Sequence, residues 1–401
     1  MGSGIVAKFG GSSVRDAAAM RRCMNIVKAS EQMKVVILSA TYNTTNELEE
    51  VATSALKSLL EANSKLFTLR AKHLTIAKNL EVTEYKRLVA EVDQIIEVGG
   101  SAIRLISQAQ KLTPEIMDEI YALGERLSTV LFSHLLHSKY PNHRVLHVDA
   151  RKLITTDDNF NRARPLIDKI RSNVWELLSE GLRDKDTLIV TQGFIGATED
   201  GKTTTLGREG SDFSGALLAE AIDAELLQIW TDTPGVAIID PKIVPNNHYL
   251  SKMSYADCSL MARLGAKILF PDTIDPILRK NIPLFVGSSL NPELGGTWIG
   301  KSSSENELVA KPFIGISLIN QKDLHKNFKN FVSLVPDGME LFSLIGQQAQ
   351  PFFNSNLEVQ EIMQKLAVRP VKLLEGQGHF SCLIPTEYTK EFCEKIVALV
   401  F

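Results

Sequence analysis

Nowhere in the 401 residues does an apolar run approach the roughly 18 needed for a membrane-spanning helix. The N-terminal segment lacks the basic stretch and apolar core of a secretory signal, and Val6 stands where myristoylation wants serine or threonine. A cytoplasmic protein is expected. Cysteine is scarce: Cys23, Cys258, Cys382 and Cys393 form no Cys-x-x-Cys pair and no Cys/His cluster at zinc spacing. That argues against a disulfide scaffold or structural zinc and predicts reduced thiols. An excess of one charge is also missing. A formal net charge of -3 offers no basic surface for nucleic acid and no polybasic membrane anchor. What remains is an ordinary globular composition, 44% hydrophobic and 23% charged, long enough for two or three domains. Function must come from local sites.

The chain opens with a short apolar strand, Ile5-Val6-Ala7, followed by the turn "KFGGSSV" from Lys8 to Val14. Asp16 to Lys28 then reads as a helix, with Ala18, Met20, Cys23, Met24 and Val27 apolar at helical spacing, and "KVVILSA" from Lys34 to Ala40 as a strand buried on both faces. Long amphipathic helices occupy about residues 47–110. Strands resume at Arg144 to Ala150, Thr187 to Ala197, Glu225 to Asp232 and Pro283 to Ser289, with helices at Pro165 to Glu180 and Ser211 to Ala221. This alternation predicts an α/β domain with a mainly parallel sheet covered on both faces. The polar "KSSSENE" of Lys301 to Glu307 reads as a linker. Beyond it lies a smaller α+β unit: strands "FIGISLI", "FVSLV", "PVKLL" and "FSCLI", a helix at Val359 to Leu366 and a closing helix from Thr389 to Val400.

Three segments can carry chemistry. Paired glycines after a first strand let backbone N–H groups approach an anion, and Lys8 adds a point charge. Taken alone, this is a weak signal, equally readable as a glycine turn beside a solvated lysine, and it is not a Walker loop. In "TTTLGREGSDFSGALLA", from Thr203 to Ala219, a glycine-punctuated loop leads into a helix that Ser211 or Asp212 would cap, and Arg208 could hold a carboxylate or phosphate bidentately. In "IWTDTPGVAIIDPK", from Ile229 to Lys242, a buried strand ends in Thr231-Asp232, where open α/β sheets bind ligands.

Together these segments resemble the aspartate kinases of the amino acid kinase superfamily. The family's "KFGGTSV", "SAxxGxTNxL", "GExxS", "TLGRGGSD" and "WTDVPGxxxxDPR" correspond to Lys8 to Val14, "SATYNTTNEL" from Ser39, "GERLS" from Gly124, Thr205 to Asp212 and Trp230 to Lys242. "MSYADCSLMARLGAKILFPDTI" and "NPELGGTWI" extend the match, which spans about residues 4 to 300 in the family's order. The resemblance implies a three-layer sandwich catalytic domain over residues 1–300 and an ACT-like regulatory region over 308–401. It also implies transfer of the ATP γ-phosphoryl group to the side-chain carboxylate of L-aspartate. Such a carboxylate is already ionised at neutral pH, so the reaction needs positioning and charge stabilisation more than a base.

By the same resemblance, Lys8 and Asp212 are the catalytic pair. Ser39, Thr45, Glu125, Arg208 and Ser211 are the aspartate-binding set, with Glu125 suited to the ammonium and Arg208 to the carboxylate. Lys8, Phe9, Gly10, Gly11, Ser12, Thr231, Asp232, Lys242 and Lys267 are the ATP side. Mg²⁺ is expected mainly on ATP oxygens, so no residue is assigned to metal. The chain departs from the family at Glu209 (a glycine), Ala237 (commonly tyrosine), Lys242 (arginine), and Phe270 and Asp272 after "GAKIL". The tail is short for two ACT modules. A homodimer through it, and an amino-acid effector such as lysine, are implied, and no complete G-x-G-x-x-G follows to suggest a fused dehydrogenase. Two other readings compete: a kinase of glutamate or N-acetylglutamate, opposed by the Glu125 motif, and an impaired amino-acid sensor, opposed by the presence of both Lys8 and Asp212.

Overall fold

A computed structural model describes residues 4–207, 209–245, 248–266, 269, 271–301, 313–320, 334–346, 348–371 and 378–401. The chain divides into two compact units. The first comprises Met1–Pro234 and Asp272–Gly296, the second Gly235–Pro271 and Thr297–Phe401.

The first unit starts with β1 (Ile5–Phe9), α1 (Ala17–Lys28) and β2 (Met33–Leu38), as the apolar pattern predicts. Asp16 caps α1 by accepting a hydrogen bond from Ala19 N at 2.8 Å. The helical stretch after β2 is longer than the sequence suggested. It comprises α2 (Thr44–Ala55), α3 (Leu59–Leu80), α4 (Tyr85–Ala109) and α5 (Pro114–Lys139). Gly99 in α4 lets these helices close up, because a Cβ there would sit 2.8 Å from Leu123 Cδ1 and 3.2 Å from Leu66 Cδ1. Next come β3 (Arg144–Val148), α6 (Ile167–Arg183) and β4 (Thr187–Gln192). The run expected as one strand to Ala197 breaks after Gln192, where Phe194 turns left-handed at φ 69°, and a separate hairpin follows, β5 (Ile195–Ala197) with β6 (Thr203–Thr205). Then come α7 (Gly210–Ala221) and β7 (Leu226–Thr231). The chain enters the second unit with β8 (Lys252–Ser254) and α8 (Tyr255–Arg263), and α9 (Pro271–Lys280) leads back to β9 (Leu284–Ser288) in the first.

Apart from the β5–β6 hairpin, the strands of the first unit are parallel, in the order β3-β4-β2-β1-β7-β9. β1 is central, with Lys8 between Ile37 and Ile229 and Phe9 between Leu38 and Trp230. Alternation sends Ala7, Phe9, Val36 and Leu38 into the core shared with α1 and the α2–α5 helices. Lys8 goes to the other face, beneath α7: a Cβ on Gly215 would lie 3.6 Å from Lys8 Cβ and 3.3 Å from Leu227 Cδ1.

In the second unit β10 (Gly296–Gly300) pairs in parallel with β8. Four further strands, β11 (Gly315–Ile319), β12 (Met339–Ile345), β13 (Arg369–Val371) and β14 (His379–Pro385), form an antiparallel sheet in the order β11-β12-β14-β13. With α10 (Ala349–Ser355), α11 (Leu357–Lys365) and α12 (Thr389–Val400) this is the α+β composition expected of an ACT-like region. Its core holds Phe342, Phe353, Phe380 and Phe392, with the Phe353 and Phe380 rings stacked at 3.9 Å. Residues 235–271 join it because Ile239 enters this core, Ile316 N donates to Ile238 O at 2.7 Å, and Ser317 Oγ donates to Leu264 O at 2.6 Å. β12 and α10 were not foreseen. The linker stretch 302–307 and residues 331–333 of "FVSLV" lie outside the described residues, while Leu334 and Val335 are not in a strand.

Candidate active site

Chemistry collects at the carboxyl ends of β1, β2 and β7. Lys8 Nζ lies 2.5 Å from Asp212 Oδ1, and both residues are only 8% exposed. Asp212 was expected as a possible helix cap. Instead α7 begins earlier, after Glu209, and Asp212 sits inside its first turn, where Lys8 takes its carboxylate. Glu209, in place of the family's glycine, adopts the left-handed conformation that a glycine would supply, at φ 54°. The departure in sequence leaves the turn intact. Ser211, also buried, packs against Gly193, where an added Cβ would come within 2.6 Å of Ser211 Cβ.

The glycine turn is built for close approach. Gly10 N donates to Trp230 O at 3.0 Å, and a Cβ on Gly10 would lie 3.7 Å from Lys8 Nζ. A Cβ on Gly11 would come within 2.8 Å of Ala40 O, so the turn tolerates only glycine without shifting. Ser12 is half-buried and Phe9 fully buried, its ring stacked on Trp230 at 6.4 Å. Ser13 ties the turn to neighbouring strands: its hydroxyl meets Ser289 Oγ at 2.6 Å, and Ser289 Oγ donates to Thr231 O at 3.0 Å. At that tip Thr231 Oγ1 donates to Asp232 Oδ1 at 3.1 Å, and Asp232 is exposed.

Beside the turn runs the loop after β2. Ser39 is half-buried; its N–H donates to Phe9 O at 3.1 Å, and its carbonyl accepts from Ser128 Oγ at 2.6 Å. Ala40 N donates to Glu125 Oε1 at 3.1 Å. Glu125 is no surface charge on its helix. It is 3% exposed, and its Oε2 has no hydrogen-bond partner among the described residues. Burial pushes its carboxyl up to about 8, against the opposing pull of the Ala40 N–H and the Lys8 charge. A buried acceptor with a spare oxygen suits an arriving cation. Thr45, half-buried, stands in the first turn of α2.

Two groups on α3, unforeseen from sequence, hold this loop. His73 is fully buried and pulled down to about 4 by desolvation, so it is neutral, with Nδ1 donating to Leu69 O at 2.8 Å. Its Nε2 therefore accepts from Thr41 Oγ1 at 3.1 Å, Thr41 accepts from Thr44 Oγ1 at 2.7 Å, and Thr44 accepts from Lys72 Nζ at 3.0 Å. Lys72 also donates to Tyr42 O and to Glu47, both at 2.8 Å. A single histidine among the polar residues of an amphipathic helix gives no sequence sign of this chain. Asp118 on α5 was missed as well; it stands two helical turns before Glu125 and grips Thr205.

Lys8, Phe9, Gly10, Gly11, Ser12, Ser39, Thr45, Glu125, Ser211, Asp212, Thr231 and Asp232 all belong to the first unit. Lys242 belongs to the second unit, where it is exposed, and its N–H donates to Asp240 Oδ1 at 2.9 Å. Also in that unit, Ala237 bridges directly to Tyr249, so an aromatic side chain emerges on the face where the family's tyrosine is absent. Arg208, Lys267 and Phe270 lie outside the described residues.

Comparison with known proteins shows which family the chain is similar to. Lysine-sensitive aspartokinase 3 of Escherichia coli is 37% identical over 301 residues, 74% of this chain and 64% of its own length. An aspartokinase of Chlamydia trachomatis is 34% identical over 303 residues, 75% of this chain and 65% of its own. The match therefore spans less than two thirds of these relatives. Among solved structures, E. coli aspartokinase III with aspartate and ADP (R-state) superposes with a TM-score of 0.83 at 27% identity, covering 97% of this chain and 98% of that one. The lysine and aspartate complex of the same enzyme (T-state) gives 0.78 at 28% identity, covering 99% of each chain. The sequence model of the amino acid kinase family matches residues 3–288, and the chain belongs to that family.

Proposed function

We propose that the protein is an aspartate kinase, passing the γ-phosphoryl group of ATP to the side-chain carboxylate of L-aspartate to give 4-phospho-L-aspartate. The observation that carries this reading is the buried Lys8–Asp212 pair beneath the Gly10–Gly11 turn, with the spare oxygen of Glu125 on the neighbouring loop. A carboxylate oxygen of the substrate attacks γ-phosphorus while the bond to ADP breaks, and no proton has to be removed. Lys8 offsets charge on the transferring group, and Asp212 keeps its ammonium in place before substrate arrives. Glu125 receives the substrate ammonium and Arg208 its α-carboxylate, with Ser39, Thr45 and Ser211 as hydrogen-bonding neighbours. The turn residues Phe9 to Ser12, with Thr231 and Asp232, serve ATP, and Mg²⁺ would supply charge neutralisation on the nucleotide's phosphates. The aspartokinase relatives, and the aspartate and ADP in the solved complex, support the choice of substrates.

In this reading residues 1–300 carry catalysis, 301–307 link, and 308–401 regulate and mediate homodimerisation. Lysine is the proposed effector, supported by the lysine-sensitive relative and the lysine-bound structure. The site of action is the cytoplasm; among the described residues no helix is long and apolar enough to cross a membrane. The test is hydroxamate formation with ATP, Mg²⁺, hydroxylamine and aspartate. Turnover should depend on aspartate, collapse in Lys8→Ala and Asp212→Ala, and fall on adding lysine. Turnover with glutamate or N-acetylglutamate instead, or lysine binding without turnover on any acid, would sink the proposal in favour of a different acceptor or a sensor.

A further inference from the structure

Asp118 is completely buried on α5, and among the described residues no cation pairs with it. Its carboxylate instead gathers neutral donors from two other segments. Oδ2 accepts from Asn161 N and Thr205 N, both at 2.9 Å, and Oδ1 accepts from Thr205 Oγ1 at 2.6 Å. Burying a carboxylate without a counter-charge is costly, so the three hydrogen bonds must do something a neutral side chain would not. An asparagine there would keep both backbone N–H bonds on its oxygen but present an NH₂ to Thr205 Oγ1, reversing that bond and replacing a charge-assisted clamp by a weaker neutral one.

The two segments that Asp118 joins are themselves well defined. Residues 157–164 close on each other, with Asp157 N donating to Arg164 O at 2.9 Å and Arg164 N donating to Asp157 Oδ1 at 2.8 Å. Their tip, Asn161, stands at φ 67°. Ala163 N donates to Thr205 O at 2.9 Å, and a Cβ on Gly207 would lie 3.3 Å from Asn161 O, so this loop rests on the start of the β6–α7 connection. That connection delivers Ser211 and Asp212. On the same face of α5, two turns further on, Glu125 holds Ala40. One helix therefore grips both loops of the site through buried carboxylates.

We infer that Asp118 is a positioning residue: it fixes the β6–α7 connection and the 157–164 loop relative to Glu125, and so sets the geometry of the acceptor side. This rests on the aspartate kinase reading for its kinetic consequence, although not for its structural one. The full chain is compared with Asp118→Asn, Thr205→Val and the double variant, by amide hydrogen exchange and by steady-state kinetics. Exchange in residues 157–164 and 205–212 should rise about tenfold in Asp118→Asn while β1 and α1 are unchanged. The KM for aspartate should rise about tenfold with the KM for ATP altered less than twofold. Thr205→Val, which keeps the backbone bond, should shift both in the same direction but less, and the double variant should be no worse than Asp118→Asn alone. Unchanged exchange in those two segments, or additive effects of the two substitutions, would overturn the inference, as would an unchanged aspartate KM in an active enzyme. Should Asp118→Asn fail to fold, Thr205→Val carries the same readouts. Should the wild type turn over no aspartate, the functional reading fails, and hydrogen exchange still decides the positioning role.

Discussion

Glu125 shows how a single carboxyl can tie binding to stability. Burial raises it from an ordinary 4.5 to about 8. Between those values the folded protein keeps a proton that the unfolded chain has released, so stability falls as pH rises across that window. Thermal melts should therefore show the wild type losing Tm from pH 5 to pH 8.5, with Glu125→Gln flatter and the more stable of the two at the alkaline end. The same variant should raise the aspartate KM about tenfold or more, because an amide cannot take an ammonium as a carboxylate does. Parallel melting curves across this range would show that another group is responsible. The paired glycines make a second residue-scale contrast. Gly11→Ala drives a Cβ to 2.8 Å from a backbone oxygen and should cost about 1–3 kcal/mol by denaturant titration. Gly10→Ala meets its neighbours only at 3.6 Å and 3.7 Å, and should fold normally yet bind ATP more weakly, because one of those neighbours is the Lys8 ammonium.

Among the elements, α5 carries the most consequence. Gly124 lets it approach the loop after β2: an added Cβ would sit 2.8 Å from Ala40 Cβ and 3.2 Å from Thr44 Cγ2. Gly124→Ala should destabilise by about 1–3 kcal/mol and weaken aspartate binding, measured by urea midpoint and KM respectively. On α3, His73→Ala should cost about 2–4 kcal/mol, since it opens a cavity and leaves the buried Thr41 hydroxyl without its acceptor. Lys8, Ser39, Asp212 and Thr231 were legible as candidates because each lies at or next to a strand end or helix start inside a contiguous, punctuated motif, whereas Glu125, in the middle of α5, was named only through the family resemblance. Asp118 and His73 have no such context. They are polar residues among many others on amphipathic helices, and the Thr205 partner of Asp118 is 87 positions away, so only the fold reveals what they hold. The break at Phe194 was likewise hidden, because an apolar β-forming run does not announce a left-handed residue.

At the scale of the whole molecule, all four cysteines are free and buried, and burial raises each thiol well above its ordinary range. The folded protein should therefore react negligibly with a thiol-specific disulfide reagent, and all four should react after denaturation; a thiol that reacts rapidly in the native state would contradict the burial described. The grouping of residues 235–271 with the C-terminal region was not legible from composition. It depends on backbone bonds such as Ile316 to Ile238, which leave no periodic trace. A final consequence comes from the central strand. β1 is synthesised long before β7, one of its two neighbours, with Ile5 opposite Leu226. During translation its apolar edge stays without that partner until β7 has left the ribosome, so closure of the sheet around Lys8 is a high-contact-order event. Slowing elongation after residue 231 should do little for soluble yield, whereas a holdase chaperone present throughout synthesis should raise it.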